Sequence, residues 1–563
     1  MTDTPLTLAQ PEDTHTGAEW EAAAAAVLRK SRKLAEDDAD ALVWDRLART
    51  TLDGIPITPL GTPADLADLQ TSGRPTRAGA WDIRAHYGHA DAALLNEHAL
   101  VDLDGGVTSL WVSTTDGADL PAVLDKVLLD LAPVAISATA PVAAARALAE
   151  LLAAQYVDPH PHTNLGADAA TASPVDLVEV ARLASDLGVL GVLVDATVVH
   201  DRGASDVQEL AYALATGVTA LRTLTDAGLG AAEAAALIEF RYAATDEQFP
   251  TIAKLRAARR LWARVLELSG ASEQVEQRQH AVTSSPMLAK YDPYVNMLRT
   301  TVAAFAAGVG GADAVTVLPF DAPLGQPDGF GRRIARNLSH LLIDESHVAE
   351  VADPAGGSYL VEKLTDDTAI AAWDLFGRLD AGEDLEPQIA DVVARREQQV
   401  ATRRRPLTGV SEFPNLAETL PERAPLVGAG EPVRRYGASF EALRDEPAAR
   451  PVFLATLGPI AQHTARATFA TNLFAAGGVA VEPAGPTAGV EDLLAAYDGQ
   501  PVVCLAGTDA AYAEWGEQAA AALRDAGATR VIVAGKGTDF TDDACATGVD
   551  ALAFLTRTRE ALA

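Results

Sequence analysis

The stretch Leu190-Gly191-Val192-Leu193-Val194-Asp195 is a short apolar run that ends in an acidic residue. A run of this length and composition predicts a buried β-strand. The segment from Ser205 to Thr223 follows it with the apolar spacing of an amphipathic helix. A strand followed by a helix, when repeated along a chain, implies parallel strands joined by helical crossovers. The architecture therefore depends on how often this unit recurs.

The unit recurs on both sides of this stretch, between about residue 75 and residue 400. The further predicted strands are Gly106–Val112, Pro133–Ser137, Ile238–Tyr242, Val282–Ser284 and Ala314–Leu318. The further predicted helices are Asp119–Leu131, Val142–Ala154, Phe249–Leu268, Tyr294–Val309 and Arg332–Ile343. Repetition of this kind fits an α/β fold, a (β/α)8 TIM barrel over residues 51–400. A doubly wound parallel sheet is the competing architecture, and periodicity alone does not exclude it.

Three other segments differ from this region. Residues 1–50 contain Ala-rich turns and predict an N-terminal helical arm, with packing on its own domain and packing on a neighbouring chain equally compatible. Residues 401–449 carry prolines and glycines that break the periodicity, which is typical of a linker. Residues 450–563 resume the alternation and predict a flavodoxin-like doubly wound domain. Its predicted elements are strands at 451–455, 479–481, 502–505 and 531–534 and helices at 467–476, 490–497 and 510–526.

Composition restricts the function classes. The 563 residues are 48% apolar, and 44 Lys and Arg face 78 Asp and Glu, for a formal charge of −34. An acidic chain repels phosphate backbones and anionic lipid, so nucleic-acid and membrane binding are not expected. Only two cysteines occur, no signal peptide is recognised, and no apolar stretch is long enough to span a bilayer. We therefore expect a cytoplasmic protein.

Several strings, in a fixed order, carry a family resemblance. They are Gly203-Ala204 with Val207-Gln208-Glu209-Leu210, Lys254-Leu255-Arg256-Ala257-Ala258-Arg259, Asp292-Pro293-Tyr294 with Arg299-Thr300, Ile334-Ala335-Arg336-Asn337 and Asp353-Pro354-Ala355-Gly356-Gly357-Ser358-Tyr359-Leu360-Val361-Glu362-Lys363-Leu364-Thr365. Together they resemble the coenzyme-A acyl mutases that use adenosylcobalamin, methylmalonyl-CoA mutase above all. The resemblance implies a barrel followed by a cobalamin-binding-type domain, and a radical carbon-skeleton rearrangement whose hard step the cofactor carries.

The family's cobalt loop has the pattern DxHxxG, in which the His ligates cobalt and the Asp fixes its tautomer. The corresponding positions of this chain are Ile460, Gln462 and Ala465. An amide is a poor cobalt ligand, and an Ile side chain accepts no hydrogen bond. A shift of one residue would bring His463 into the ligand position, but Asp and Gly would still be missing. We therefore expect His463 to be a surface or helix-capping residue. The family's paired glycine near the nucleotide tail becomes Ala534-Gly535.

The barrel positions that the family uses for the substrate differ as well. The Tyr-His pair becomes Thr197 and Val198, and His200 lies two residues further on, where we expect loop surface. The family's ribose-binding segment becomes Thr316-Val317-Leu318 with Asp321-Ala322, and its Gln-Asn segment becomes Thr139-Ala140-Pro141-Val142. Apolar replacements leave the polar atoms of a ligand unpaired, at a cost of about 1–3 kcal/mol each.

Some members of this family are heterodimers of two homologous chains. The resemblance implies that this chain is similar to the smaller, non-catalytic one, which stabilises the larger subunit. The large partner then binds adenosylcobalamin and the acyl-CoA and interconverts methylmalonyl-CoA and succinyl-CoA. We accordingly expect no catalytic, cofactor-binding or metal-binding residues here. The alternatives are a self-sufficient acyl-CoA mutase with an altered cobalt site, base-on or using His463, and a non-enzymatic metabolite-binding or chaperone-like relative.

Four other motifs are interpreted as structural. His160 and His162 in a Pro-rich loop are typical of a surface rather than a metal site. The segments Gly308–Gly311 and Gly428–Gly430 lack the spacing and context of a phosphate loop. Cys504 lies in an apolar run and is expected to pack rather than react.

Overall fold

The computed structural model describes residues 14–67, 69, 77, 79–88, 90–271, 275–426 and 433–563. Among these residues the strands are β1 (Arg49–Thr50), β2 (Pro56–Ile57), β3 (Asp82–Tyr87), β4 (Ser109–Thr114), β5 (Val134–Ala138), β6 (Asn164–Asp168), β7 (Leu190–Asp195), β8 (Ile238–Ala244), β9 (Arg278–Thr283), β10 (Ala314–Thr316), β11 (Val452–Thr456), β12 (Val481–Pro483), β13 (Val502–Ala506), β14 (Arg530–Ala534) and β15 (Asp543–Cys545).

The α-helices of the described residues are α1 (Gly17–Lys30), α2 (Val43–Leu47), α3 (Ala92–Asp104), α4 (Leu120–Val123), α5 (Pro141–Gln155), α6 (Pro174–Leu187), α7 (Thr197–Asp201), α8 (Asp206–Asp226), α9 (Ala231–Ala236), α10 (Gln248–Leu268), α11 (Val295–Val309), α12 (Gly329–His340), α13 (Tyr359–Asp380), α14 (Glu386–Ala401), α15 (Ala438–Asp445), α16 (Ile460–Ala476), α17 (Val490–Ala496), α18 (Asp509–Ala511), α19 (Glu517–Asp525) and α20 (Ala551–Leu562). Two π-helical turns, Leu341–Glu345 and Tyr512–Gly516, continue α12 and join α18 to α19.

Strands β3 to β10 close into a parallel barrel in the order β10-β3-β4-β5-β6-β7-β8-β9. The predicted (β/α)8 barrel is therefore confirmed, and the alternative of a single doubly wound sheet is wrong for this region. The pattern that defines β7 matches its observed bounds, since all but its last residue are buried apolar or glycine residues. The first helix after β4 is much shorter than predicted, because Lys126 adopts a positive φ of 63° and turns the chain.

Sequence periodicity does not reveal β3 and β6. Both strands send polar side chains into the barrel, so β3 has no apolar run and that of β6 is limited to Leu165-Gly166-Ala167. Arg84 of β3 and Asn164 of β6 are buried, and each contacts the Glu239 carboxylate of β8. A buried ion-pair network thus replaces the apolar face that the sequence pattern would detect.

The second domain is a five-stranded parallel sheet in the order β12-β11-β13-β14-β15. Numbered within the domain, this order is 2-1-3-4-5, the flavodoxin-like arrangement, so the predicted fold is confirmed. Its helix α16 begins at Ile460, earlier than the sequence pattern predicts. The apolar core of this domain also contains Ala289 and Val400 from the barrel region and Phe440 of α15, so the domain packs directly on the barrel and the linker.

The N-terminal arm has a small apolar core of its own. Helix α1 starts with a capping box between Thr16 and Glu19. Trp20 packs on Trp44 of α2 with ring centroids 4.5 Å apart. This cluster is separate from the barrel core. The predicted helical pattern stops before residue 49, where the hairpin β1–β2 leads the chain toward the barrel.

Candidate functional site at the barrel mouth and the second sheet

The carboxyl edge of the second sheet is where a doubly wound fold binds its ligands. Strand β11 ends at Thr456, and α16 begins at Ile460 after a turn through Gly458 and Pro459. Gly458 has a φ of +88°, which favours glycine, and the Gln462 side chain lies against it. Proline suits the start of a helix because its fixed φ is already helical. The three positions that correspond to the cobalt loop therefore lie on a helix, and all three are exposed.

His463 is buried, so the prediction of a surface position is wrong. Because α16 starts early, His463, Ala467 and Ala470 share the helix face that is turned toward the sheet. The His463 Nδ1 lies 3.0 Å from the carbonyl oxygen of Gly458. A carbonyl only accepts, so the ring donates through Nδ1.

The neighbouring part of this edge is covered by the side chain of Arg466. Its guanidinium donates to the Gly507 carbonyl oxygen at 2.8 Å and to Asp509 Oδ1 at 2.6 Å, and it lies over the Tyr512 ring. It also lies where a side chain on Gly535 would project. The Tyr512 hydroxyl, in turn, accepts from the Gly507 N–H at 2.9 Å and contacts the Ala534 carbonyl oxygen at 2.8 Å. The chain's own side chains thus bind the backbone groups at the ends of β13 and β14.

The mouth of the barrel carries a polar cavity of about 770 Å³ at the carboxyl ends of β7 and β8. Active sites of (β/α)8 enzymes lie at this face. Several charged side chains at this face contact groups of the same chain. Lys254 Nζ lies 2.8 Å from Asp206 Oδ1, and Arg405 pairs with Glu247 at 3.2 Å. The Arg396 guanidinium donates to the Gly203 carbonyl oxygen at 2.7 Å.

His200 also lies at this face, but it is buried in α7 and not on a surface loop as predicted. Its Nε2 is 2.7 Å from the Ser284 hydroxyl, and its Nδ1 is 3.5 Å from Glu209 Oε2. The Thr197 hydroxyl donates to Asp195 Oδ1 at 2.5 Å, while the neighbouring Val198 side chain is exposed. Neither member of the Thr197–Val198 pair offers a polar group that is free for a ligand.

The barrel interior is closed by an aromatic and cationic stack. The Arg241 guanidinium lies 3.8 Å from the ring centroid of Trp111, and His280 approaches the same ring edge-on at 5.6 Å. Arg241 Nε donates to His280 Nδ1 at 3.0 Å, and Arg241 Nη1 pairs with Asp195 at 2.7 Å. Burial, followed by the nearby Arg84 and Arg241, lowers the pKa of His280 well below its ordinary value, so the ring is neutral.

A second layer fills the barrel below this stack. Both Nη1 contacts from Arg84 to the Glu239 carboxylate measure 3.1 Å, and neither side chain is exposed. Burial favours the protonated form of Glu239, but Arg84 and Arg278 outweigh it and hold the pKa of this carboxyl below its ordinary value. The interior is therefore a packed, charge-paired core.

Comparison with known proteins gives a consistent result. Residues 188–467 match the family profile of methylmalonyl-CoA mutase. The chain is 46% identical to a methylmalonyl-CoA mutase small subunit of Streptomyces virginiae, over 97% of this chain and 96% of that protein. It is 41% identical to a probable small subunit of Mycobacterium tuberculosis over 92% of each chain. It is 35% identical to the small subunit of Propionibacterium freudenreichii subsp. shermanii, over 97% of this chain and 93% of that protein.

The chain belongs to the methylmalonyl-CoA mutase family. The resemblance inferred from the ordered strings, including the resemblance to the small subunits, is confirmed. Its edge residues do not fit the corrinoid that the family implies. Gln462 stands at the ligand position, and Arg466 and Tyr512 bind the backbone groups beside Gly535. Among the described residues, no group of three His, Cys, Asp or Glu side chains could hold a metal ion.

The other positions that correspond to the family's ribose-binding and Gln-Asn segments also form contacts within the chain, although Asp321 Oδ1 is buried without a hydrogen-bond partner. Thr316 Oγ1 is 2.8 Å from His280 Nε2, and the Leu318 N–H donates to the Thr283 hydroxyl at 2.8 Å. Asp321, the one residue retained from the family's ribose segment, is fully buried and accepts from Arg423 Nε of the linker at 2.5 Å. The Thr139 hydroxyl donates to the Thr115 carbonyl oxygen where α5 begins.

The motifs set aside on sequence grounds lie away from this mouth. His160 and His162 are at the amino end of the barrel, where His162 Nδ1 is 3.4 Å from Asp82 Oδ2. Gly308 lies in α11 and Gly310 caps its end, while Cys504 is fully buried in β13. Residues 428–430 lie outside the described residues. In the part of the chain that the structure describes, no helix is both long and apolar enough to cross a membrane.

Sequence reasoning missed Trp111, Arg241 and Arg466, the three side chains that close the barrel and cover the sheet edge. Arg466 stands at the family's Gly position if the cobalt loop is shifted by one residue, and that shift was the one available signal. Trp111 was assigned to a strand, but the side of the strand from which it projects follows from the barrel register alone.

Proposed function

We propose that this chain is the non-catalytic subunit of a heterodimeric methylmalonyl-CoA mutase in the cytoplasm. A homologous large chain binds adenosylcobalamin and the acyl-CoA and interconverts methylmalonyl-CoA and succinyl-CoA. This chain binds the large chain and stabilises the relative placement of its barrel and cobalamin domain. The full-length match to relatives that are named small subunits supports this proposal.

One observation carries the proposal. At both edges where these folds bind ligands, several polar side chains are bonded to groups of the same chain, as Arg466 is to Gly507 and Arg241 is to Asp195. A ligand would have to break these contacts and desolvate both partners, which is unfavourable without equivalent replacements. The chain therefore has the fold of the family, but the side chains at its ligand-facing edges contact other groups of the same chain.

The N-terminal arm supplies a surface suited to the partner. Its core is separate from that of the barrel, and the Val27 side chain of α1 is 67% exposed. Leu42, just before α2, and Leu47, its last residue, are exposed as well. Apolar side chains on a small helical unit gain free energy when a neighbouring chain covers them. We propose that the large chain covers this arm.

The test compares this chain purified alone with the same chain co-expressed with a homologous large mutase chain. Each preparation is mixed with adenosylcobalamin, separated from free cofactor by gel filtration, and examined by absorbance and by succinyl-CoA isomerisation. We expect corrinoid absorbance and turnover in the co-purified pair and neither in the single chain. Turnover by the single chain would overturn the proposal. Failure of the two chains to co-purify would favour a free-standing, non-enzymatic relative.

The self-sufficient mutase is a second candidate because of the His463 geometry. The Nδ1 contact to Gly458 assigns the donor proton to Nδ1, so Nε2 is the ring nitrogen that could ligate a metal. The variant His463→Gln, compared with His347→Gln at an exposed position, decides this point. If the single chain binds corrinoid and only His463→Gln abolishes the binding, the second candidate holds.

A further inference from the structure

A cavity of about 260 Å³ lies outside the barrel, between strands β3 and β10 and the helices α3 and α12. Strand β10 pairs with β3 only at Ala314 with Asp82 and Val315 with Ile83. Beyond these pairs the two strands carry no ladder contacts, and the space between them and the helices opens. This cavity is separate from the barrel-mouth cavity and from the edge of the second sheet.

The walls of the cavity are mainly apolar. The side chains that form this apolar part are Ile83, Leu95, Val107, Val315, Val317 and Leu426. A pocket of this kind buries the apolar body of a small molecule, and its volume is just below the usual range for such sites.

One side of the cavity carries two guanidinium groups on the same face of α12. Arg336 Nη1 is 2.8 Å from Asp102 Oδ1, and Arg332 Nε is 3.7 Å from Asp102 Oδ2, which is too far for a hydrogen bond. The Tyr87 hydroxyl donates to the same carboxylate at 3.2 Å. Two cations therefore share one anion. His98 adds no charge, because burial, followed by the nearby Arg332, lowers its pKa.

Both guanidinium groups retain an unused donor. The Nε atoms of Arg332 and Arg336 are buried, and neither has a hydrogen-bond partner among the described residues. A buried N–H without an acceptor is unfavourable, and buried polar groups in proteins are nearly always paired.

We infer that this cavity binds a small organic anion, a carboxylate on an apolar body, whose oxygens accept from Arg332 and Arg336. The apolar walls hold the body of the ligand, and the uncompensated positive charge selects the anion over its neutral counterpart. The site lies on the barrel wall. Its lining includes Thr316 and Leu318 of the segment at the barrel mouth, but the two arginines belong to α12 and lie outside that segment.

The linker borders the opening of this site. Gln326 N donates to the Ala424 carbonyl oxygen at 2.7 Å, and Arg423 binds Asp321. Leu426, two residues further along the linker than Ala424, lines the cavity and is 41% exposed. A larger side chain at position 426 can therefore fill the entrance without altering the core.

The experiment measures binding to the full chain by titration calorimetry. The probes are hexanoate, its neutral isostere hexanamide, and inorganic phosphate, which has charge without an apolar body. We expect saturable binding of hexanoate and at least tenfold weaker binding of the other two. Arg332→Gln should weaken hexanoate binding about tenfold or more because it removes a charged donor. Arg333→Gln, an exposed neighbour on the same helix, should leave binding unchanged.

Leu426→Trp provides a second, independent variant that keeps both arginines. It should block hexanoate binding while the thermal unfolding temperature stays at the wild-type value. Equal binding of hexanoate and hexanamide would overturn the inference, because the cavity would then be an apolar pocket without anion recognition. Absence of hexanoate binding, or hexanoate binding that survives both Arg332→Gln and Leu426→Trp, would overturn it as well.

Discussion

The helices around the barrel carry residues of the family strings, and these residues pair with one another. The two ligand-facing edges carry other residues than the family pattern. Glu209 of α8 is 2.7 Å from Lys254 of α10. Arg256, also on α10, pairs with Asp353 and Glu362. All five residues belong to the strings that carry the family resemblance. At the edges, in contrast, the family's ligand-binding residues have been replaced, and the replacements are bonded internally or exposed.

The difference shows which constraints still act on this chain. A residue whose partner is another residue of the same scaffold remains necessary whenever the fold is needed, since loss of one partner strands a buried charge. Under the proposed function the ligands are bound by the large chain, so a residue at a ligand-facing position of this chain has no ligand to bind. The family strings in this sequence are therefore mainly a record of helix packing, and their retention alone does not indicate catalysis.

The largest effect should come from breaking the buried network on the scaffold side. Lys254→Met removes the cation that lies 2.7 Å from Glu209 and 2.8 Å from Asp206, in a fully buried position. Burial opposes the charge, but the two carboxylates outweigh it and raise the pKa of Lys254. Without it the carboxylates remain uncompensated, and we expect a loss of about 3–5 kcal/mol in the free energy of unfolding measured with urea.

The matched control is Lys363→Met. Lys363 belongs to the string from Asp353 to Thr365 but pairs with Asp367 on the helix surface, with its side chain 41% exposed. A surface pair of this type contributes about 0–1 kcal/mol. Equal losses of unfolding free energy in the two variants would contradict the view that the residues of the family strings matter because they pair with buried partners.

A second test addresses the closed barrel interior. Trp111→Ala removes the ring on which Arg241 stacks and the indole N–H that donates to Ser137 at 2.8 Å. We expect a loss of about 3 kcal/mol from the cavity and the unpaired groups. Trp111→Phe keeps an aromatic face and should cost less than half as much. If Trp111→Ala leaves the free energy of unfolding unchanged, the stack does not stabilise the barrel, and the prediction is wrong.

The sequence predicts the apolar strands well and the polar ones poorly. The run from Leu190 to Asp195 has the observed bounds of β7, because a strand buried on both faces needs apolar residues at every position. Strand β3 escapes detection because Arg84 and His86 point into the barrel, where Arg84 pairs with Glu239 of β8 and His86 contacts the Ser113 hydroxyl of β4. Such pairs join strands far apart in the chain, so no local pattern reveals them.

At the candidate site, too, the local sequence pattern predicts only part of the structure. The absence of the DxHxxG pattern is visible in the sequence, but the early start of α16 and the burial of His463 are not. Both depend on how the turn at Gly458 and Pro459 directs the helix across β11. His200 was misplaced for a similar reason, since its partner Ser284 follows another strand of the barrel.

A smaller effect should appear in the pH dependence of stability. Burial, with a contribution from Asp206, raises the pKa of Asp53 to about 6, although the Ser205 hydroxyl bond opposes the shift. The folded state then holds this proton more tightly than the unfolded state. The stabilising contribution is complete below about pH 4 and is lost as the pH rises through about 6, with a slope of up to ~1.4 kcal/mol per pH unit.

Asp53→Asn should make this slope shallower in urea unfolding measured between pH 4 and 7. Some slope remains, because burial also raises the pKa of Asp201 to about 6. Asp45→Asn, at an exposed position in α2, serves as the control and should leave the slope unchanged. An unaltered slope in Asp53→Asn would mean that this carboxyl is not protonated in the folded state.

The smallest effect concerns the covered edge of the second sheet. Arg466→Ala removes the hydrogen bond to the Gly507 carbonyl oxygen and the contact with the Tyr512 ring. We expect the second domain to lose about 1 kcal/mol, since a net hydrogen bond contributes about that much. Asp509→Ala removes only the ion pair, and because Asp509 is 87% exposed the loss should be near zero. The two variants thus distinguish the stability that Arg466 contributes by covering the backbone from the stability that the surface ion pair contributes. Equal losses would show that Arg466 is held by Asp509, and the edge would then be open whenever that surface pair is screened by salt.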